Sequence, residues 1–395
     1  MSKINDLIKK LCPNGMNFKS IDSVADLYYG KGNNIPKDGG DYPVYGCYGI
    51  VSSTSTFNNE DTPIVGHIGS AGKVSWGAGK HYVTYNGTIC KPKNKNELNS
   101  RYLYYILLNL HLENYVKGSQ PFLSSSDFGP IKIAIPPLEI QEEIVKILDK
   151  FGELEAELEA ELEARKSQYE FWRGIVFSSN NNLIKLDDVC NITAGGTPSK
   201  THSEYWENGN IRWLGSTVCE NKKGISEVTN YITELGLSKS SAKLLKPGTT
   251  LIAMVGATIG KVAYLDYEAC TNQNVAGLFP KNINELDTSY LYHACRNLYS
   301  VFLDYANGKF SMASLGYIKN LKIPLPNINE QKRIAKLLDK FDTLINDISE
   351  GLPAEIELRR KQYEYYRNKL LNFEELKNEW YFIFNYWWIG KWYSK

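Results

Sequence analysis

The chain has no run of 18 apolar residues, which excludes a helical membrane span. Its first residues, MSKINDLIKK, lack the apolar core of a signal peptide. The seven cysteines (Cys12, Cys47, Cys90, Cys190, Cys219, Cys270 and Cys295) are odd in number and scattered. None stand at CxxC spacing, so neither a disulfide framework nor a zinc cluster is expected, and a reducing cytoplasm is the expected location. The five histidines (His67, His81, His111, His202 and His293) form no HxxxH or HExxH pair, and no GxSxG elbow is present. An excess of one charge is missing too. Lys plus Arg number 45 and Asp plus Glu 44, for a net charge of +1, so charge alone announces no nucleic-acid binder.

What is present is ordinary globular material: 395 residues, 43% hydrophobic and 23% charged, enough for two or three domains. Charge is uneven along the chain. Residues 131–178 carry a net −5, against +3 for 1–130, +1 for 179–320 and +2 for 321–395. The acidic stretch therefore masks a mild basic excess elsewhere.

The strongest signal is an internal repeat. IKIAIPPLEIQEEIVKILDKF (131–151) and LKIPLPNINEQKRIAKLLDKF (321–341) share 10 of 21 residues at an offset of 190. Gln141 matches Gln331, and Asp149-Lys150-Phe151 matches Asp339-Lys340-Phe341. The match resumes from Arg165 and Arg359 at an offset of 194, so the second copy is four residues longer. Four residues are about one helical turn, which leaves a helix nearly in phase. Upstream, Tyr115 and Gly118 match Tyr305 and Gly308, and GSAGKV (69–74) resembles GATIGKV (256–262). A duplication can stack two copies into one larger core. It can also build a pseudo-twofold molecule with two similar ends, the arrangement that suits a partner with two half-sites.

The coarse reading is α+β. Regions 1–137 and 179–326 are β-rich, with short β-branched and aromatic runs at 50–57, 62–69, 80–92, 244–256 and 260–265 between turn residues. Each holds a shorter helix, 100–116 and 288–306, and ends in a strand before proline, KIAIPP and KIPLP. Long helices are expected at 138–178 and 327–373, followed by an aromatic-rich tail, 374–395. In the first helix Leu154, Leu158 and Leu162 form a narrow apolar ridge among six glutamates. Phe341, Leu344, Ile345, Ile348 and Leu352 form one in the second, and a kink or break is expected at Gly351 and Pro353. Two such ridges suggest an antiparallel coiled-coil pair.

Catalytic readings fail individually. GATIGKV has three residues between its glycines where a phosphate loop has four, and Val262 stands where a magnesium-binding Ser or Thr is needed. A tight strand-to-strand turn is the expectation. An adenine methyltransferase loop is absent, since Ile135 precedes Pro136-Pro137. The ExK at Glu375-Leu376-Lys377 reads as a polar helix end. DNA contact is one chemistry that the residue types of the loops would suit. Arg, Lys, Asn and Gln read base edges, and hydroxyls and lysines hold phosphate. Candidates in the first half are Lys31, Asn33, Asn34, Lys73, Tyr85, Asn86, Lys117, Ser119 and Gln120. In the second they are Thr197, Ser199, Lys200, Lys222, Lys223, Lys261, Gln273, Asn274 and Lys309. All are read as lying in Gly- or Ser-rich loops.

The segments 11–27, 40–51, 195–200, 320–342 and 359–375, in this order and with the duplication, resemble the DNA-specificity subunits of type I restriction–modification enzymes. The resemblance covers nearly the whole chain but not WYFIFNYWWIGKWYSK (380–395). It implies two target-recognition domains, each reading one half of a bipartite, asymmetric site in double-stranded DNA. It implies helices that act as a ruler and as a dock for two methyltransferase subunits, with motor-nuclease subunits joining them. The ELEA repeats resemble family repeats whose copy number changes the spacer. S-adenosylmethionine, ATP and magnesium would belong to those partners, with no cofactor, metal or catalytic residue in this chain. Docking and pairing positions expected on the helices are Leu154, Leu158, Leu162, Tyr169, Trp172, Phe341, Ile345, Tyr363 and Tyr366, with Phe171 and Tyr365 beside them. The rival reading is a coiled-coil scaffold that assembles partner proteins without sequence-specific DNA binding.

Overall fold

A computed structural model describes residues 2–32, 34–178, 182–225, 228, 230–308, 312–347 and 349–373. The chain divides into two compact units, Met1–Ala156 with the chain from Leu358 onward, and Glu157–Glu357. The boundaries cut through helices, so each unit contains one end of the Leu138–Ser178 helix. Among the described residues, no helix is long and apolar enough to cross a membrane.

The first unit is built on a six-stranded sheet, in the order Ala25–Tyr29, Gly87–Pro92, Asn59–Gly66, Val74–Val83, Tyr42–Tyr45, Ile50–Thr54. Its neighbours are antiparallel except for Tyr42–Tyr45 beside Val74–Val83. The Ser100–Asn109 helix covers it, starting where the Asn99 side chain accepts from the backbone N–H groups of Arg101 and Tyr102. A core of Val65, Cys90, Leu103, Phe128, Ile144, Leu148 and Leu370 joins sheet, covering helix and both long helical segments.

The second unit has a five-stranded sheet, Cys190–Ala194, Val275–Pro280, Thr249–Ala253, Val262–Leu265, Lys222–Lys223, and a separate three-stranded one. The Thr288–Asn297 helix opens on Asp287, whose carboxylate accepts from Tyr290 N–H. In both units a short antiparallel strand pair brings the first strand against the last, Phe18–Ser20 with Lys132–Ala134 and Leu183–Lys185 with Lys322–Pro324.

The repeated glutamine does the same job twice. Gln141 is buried; its amide donates to the carbonyls of Glu97 and Pro136 and accepts from Asn99 N–H. Gln331 is buried and donates to Glu285 and Pro326 while accepting from Asp287 N–H. Each ties the proline-ended strand, the long helix and the covering helix's cap together.

The first long helix runs from Leu138 to Ser178 as expected, 41 residues. The second is two helices, Ile328–Asn346 and Leu352–Leu371. The break falls beside Gly351, where a Cβ would stand 2.6 Å from the carbonyl oxygens of Asp347 and Thr343. Pro353 then sits in the first turn, where its missing N–H costs no bond. The 138–156 segment meets the last helix through Phe151, stacked 5.5 Å from Tyr366, and Glu155, bonded to Arg360. In the second unit Tyr169 lies buried 6.3 Å from Phe341.

The apolar ridge is covered unevenly. Leu162 packs on the second core, whereas Leu154 is 37% exposed. Four residues overshoot a 3.6-residue turn, so a ridge at that spacing winds around the helix and leaves the face that packing covers. Ile348 and the 374–395 tail lie outside the described residues.

Candidate nucleic-acid interface

The glycine-rich segments are strand-to-strand turns, as expected. In the first unit Gly72 has φ of +81° and no room for a side chain, because a Cβ would lie 2.5 Å from Glu113 N. In the second, Gly260 has φ of +75°, and its Cβ would meet Phe302 at 2.2 Å. A helical turn thus presses on each glycine, and the loops beside it are held at one sheet edge.

Backbone hydrogen bonds define that edge. In the first unit they run from Gly30 to Gly87, His67 to Asn86, Leu123 to His67, Gly72 to Gly66 and Lys73 to Ser70, each N–H to carbonyl. In the second they run from Gly195 to Val275, Met254 to Asn274, Ala313 to Met254, Gly260 to Ala253 and Lys261 to Thr258. The two sets correspond bond for bond. Lys73 and Lys261 therefore occupy matching positions, as do Asn86 and Asn274, and so do Tyr85 and Gln273.

The first edge gathers most of its candidates. Lys31 N–H bonds Val83, Tyr85 N–H bonds Gly32, and Lys117 and Phe122 bond each other across the loop that carries Ser119 and Gln120. Lys31, Asn34, Lys73, Tyr85, Lys117, Ser119 and Gln120 are exposed. At its centre lies His67, buried, its Nδ1 2.8 Å from Leu123 O. Tyr29, Tyr85 and Phe122 surround it at ring distances of 4.0, 5.5 and 4.6 Å. Sequence reasoning misses Tyr29, His67 and Phe122. The 12% aromatic content is the only signal, and it does not say which rings converge.

The second edge is chemically different. Thr197 Oγ1 donates to Gln273 Oε1 at 2.6 Å. The loop bearing Thr197 is fixed by Trp213, whose indole N–H donates to Gly196 O, and by Gly196 N–H to Thr271 O. Trp206 holds Ser199 in the same way at 3.2 Å, leaving Lys200 exposed beside it.

Not every candidate lysine is equally available. Lys31, Lys73, Lys200 and Lys261 carry no ion pair among the described residues. Lys117 sits 2.5 Å from Asp127, and with Ser124 it holds that carboxyl at about 2. Lys222 pairs with Glu220 at 2.8 Å. Lys222 and Lys223 stand in a strand, where a loop was expected, and Lys223 turns inward. Its ammonium meets Asp339 and Ser289 at 2.7 Å and lies over the Tyr264 ring. Asn33 and Lys309 lie outside the described residues.

A serine, a histidine and an aspartate meet here, but not as a catalytic triad. His293 Nε2 is 2.8 Å from Asp339, and its Nδ1 is 3.1 Å from the Tyr169 hydroxyl. Ser289 donates to Asp339 and does not bond the imidazole, so no activated nucleophile results. Burial would raise Asp339, but bonds from His293 and Lys223 hold it down at about 2. Burial pushes His293 below the ordinary imidazole value against the pull of Asp339.

On the helices, Tyr169 and Ile345 are buried in the second core and offer a partner no surface. Leu158, Leu162, Phe341, Tyr363 and Tyr366 are half-buried. The exposed docking candidates are Trp172 at 43% and Leu154, with Phe171 at 62% and Tyr365 at 58% beside them.

The family model described as a type I restriction modification DNA specificity domain matches residues 13–164 and again 178–358. The specificity subunit of the Escherichia coli type I restriction enzyme EcoR124I/EcoR124II is 39% identical over 294 residues, 69% of this chain and 70% of that one. A Haemophilus influenzae protein described as a putative type I restriction enzyme specificity subunit is 32% identical, covering 90% of this chain and 95% of its own. A crystal structure of the type I restriction–modification S subunit from M. genitalium shares the fold with a TM-score of 0.61 at 19% identity, over 90% of this chain and 96% of that one.

Proposed function

The chain belongs to the type I restriction–modification specificity subunits, and on that premise we propose that it reads a bipartite, asymmetric DNA site, one half with each unit. The observation that carries this reading is the bond-for-bond correspondence of the two sheet edges, with different side chains mounted on the same frame. Matching frames suit two half-sites, and unlike side chains suit unlike sequences. The same correspondence, with the doubled glutamine, supports a pseudo-twofold duplication.

Lys31, Lys73, Lys200 and Lys261, which carry no ion pair among the described residues, position the duplex through its phosphates, and the amides and aromatic rings beside them face base edges. The helical segments pair as an antiparallel coiled coil. Their exposed aromatics, Phe171 and Trp172 in one unit and Tyr365 in the other, dock two methyltransferase subunits, which motor-nuclease subunits then join. Catalysis, with S-adenosylmethionine, ATP and magnesium, belongs to those subunits, in the cytoplasm.

The test is methylome sequencing of cells that express this chain with its methyltransferase. A bipartite, non-palindromic adenine motif is expected. Absence of any motif, with an assembled complex, would favour a scaffold without sequence-specific DNA binding and contradict the proposal.

A further inference from the structure

We propose that Gln273, aimed by Thr197, reads an adenine in the half-site of the second unit, and that no equivalent amide reads the half-site of the first. The inference rests on the reading of the chain as a DNA-specificity subunit, and it names the chemistry at one position of that site.

The Gln273 side chain is exposed at the tip of a turn that is itself held rigid. Asn272 N–H bonds Leu214 O, and the Asn272 side chain accepts from Asn274 N–H. Behind it, Gly195 and Gly196 press so closely on Thr271 and Ser241 that a Cβ on either would lie 2.0–2.2 Å from an oxygen. The loop carrying Thr197 is thus packed and hydrogen-bonded, through Gly196 N–H to Thr271 O, against the strand end that leads into the turn carrying Gln273.

The hydrogen bond between them settles what the amide has left to offer. The Thr197 hydroxyl donates to Oε1 and fills one of its two lone pairs. One lone pair on Oε1 and both N–H groups on Nε2 remain. Adenine shows one acceptor, N7, and one donor, N6–H, on its major-groove edge, and a glutamine amide meets both at once. Guanine shows two acceptors there and would leave Oε1 facing another oxygen. Holding the amide in advance removes part of the entropy cost of fixing a long side chain on binding.

The first unit has a different group at this position. Tyr85 stands where Gln273 stands, with its ring 5.4 Å from Tyr29 and 5.5 Å from His67. It offers an aromatic face and one hydroxyl, and cannot make the paired contact. At this matching position the two half-sites are then read by different chemistry, an amide on one side and an aromatic ring on the other.

The experiment is methylome sequencing with the full chain and its methyltransferase, comparing the parent with Gln273→Ala, Gln273→Glu and Thr197→Val. In Gln273→Ala, one adenine position in one half-site should lose about tenfold to a hundredfold in preference. In Gln273→Glu, which keeps the shape but can only accept, preference there should move toward cytosine, whose N4 donates. Thr197→Val should keep the adenine but weaken its preference, which a purely structural role for Gln273 would not produce. A parent motif kept unchanged by both Gln273 variants overturns the inference and leaves the wider reading standing. Equal loss at all sequences by both variants, with the chain folded, makes Gln273 a general contact and also overturns it. A parent with no bipartite motif overturns both.

Discussion

At the scale of single residues, Gln331 shows how much of the fold hangs on one side chain. Replacing it with alanine takes the partner from the half-buried Asp287 N–H and from the carbonyls of Glu285 and Pro326. A fully buried group left unsatisfied costs about 1–3 kcal/mol, and solvent reaches these three in part, so the expected total loss is about 1–3 kcal/mol in chemical denaturation. Gln141→Ala should cost the first unit a similar amount, because its bonds are the same. A loss under 1 kcal/mol in both would contradict the role given to the repeat. His293 provides a pH test. Its folded pKa lies below the ordinary 6.5, so the unfolded chain binds the proton first as pH falls. Stability is then fully present above about pH 6.5 and is lost as pH drops through the folded value. Thermal melts between pH 7.5 and 5 should show the decline, and His293→Gln should flatten it. An unchanged slope in that variant would assign the decline to other groups.

At the scale of elements, the helical faces can be separated by substitution. Ile345 is 4% exposed, so Ile345→Asp buries an unpaired charge and should cost about 3–4 kcal/mol. Leu154→Asp, on the exposed part of the ridge, should cost under about 1 kcal/mol. Equal losses would mean that both leucine and isoleucine are covered. Deleting Glu161–Ala164 removes one ELEA repeat, about 6 Å of helix and about 40° of rotation. Two base pairs match that length, and one matches that angle, so the spacer should shorten by one or two pairs with both half-sites unchanged. An unchanged spacer with full activity would show that the helix does not set it. These elements were legible because their signals are local and repeated. The Leu138–Ser178 helix has a continuous helical pattern, and Gly351-Pro353 punctuates the second. Covering is not legible in the same way. Spacing marks Leu154, Leu158 and Leu162 as a row, but only packing decides which of them lies against a neighbour. The inward turn of Lys223 depends likewise on Asp339, more than a hundred residues away. The aromatic cluster around His67 comes from a strand end at 29 and from loops at 67, 85 and 122 that no local pattern joins.

At the scale of the whole molecule, the proposed function has two units on one frame reading two half-sites independently. Modularity of this kind suits the fold, since each sheet edge is built from its own unit's loops and each core closes around its own helical segments. The most direct test replaces residues 1–137 with the corresponding segment of a family member of different specificity and sequences the methylome beside that of the parent. One half-site should change to the donor's, while the other stays as it was. A motif in which both half-sites change, or neither does, would contradict the account.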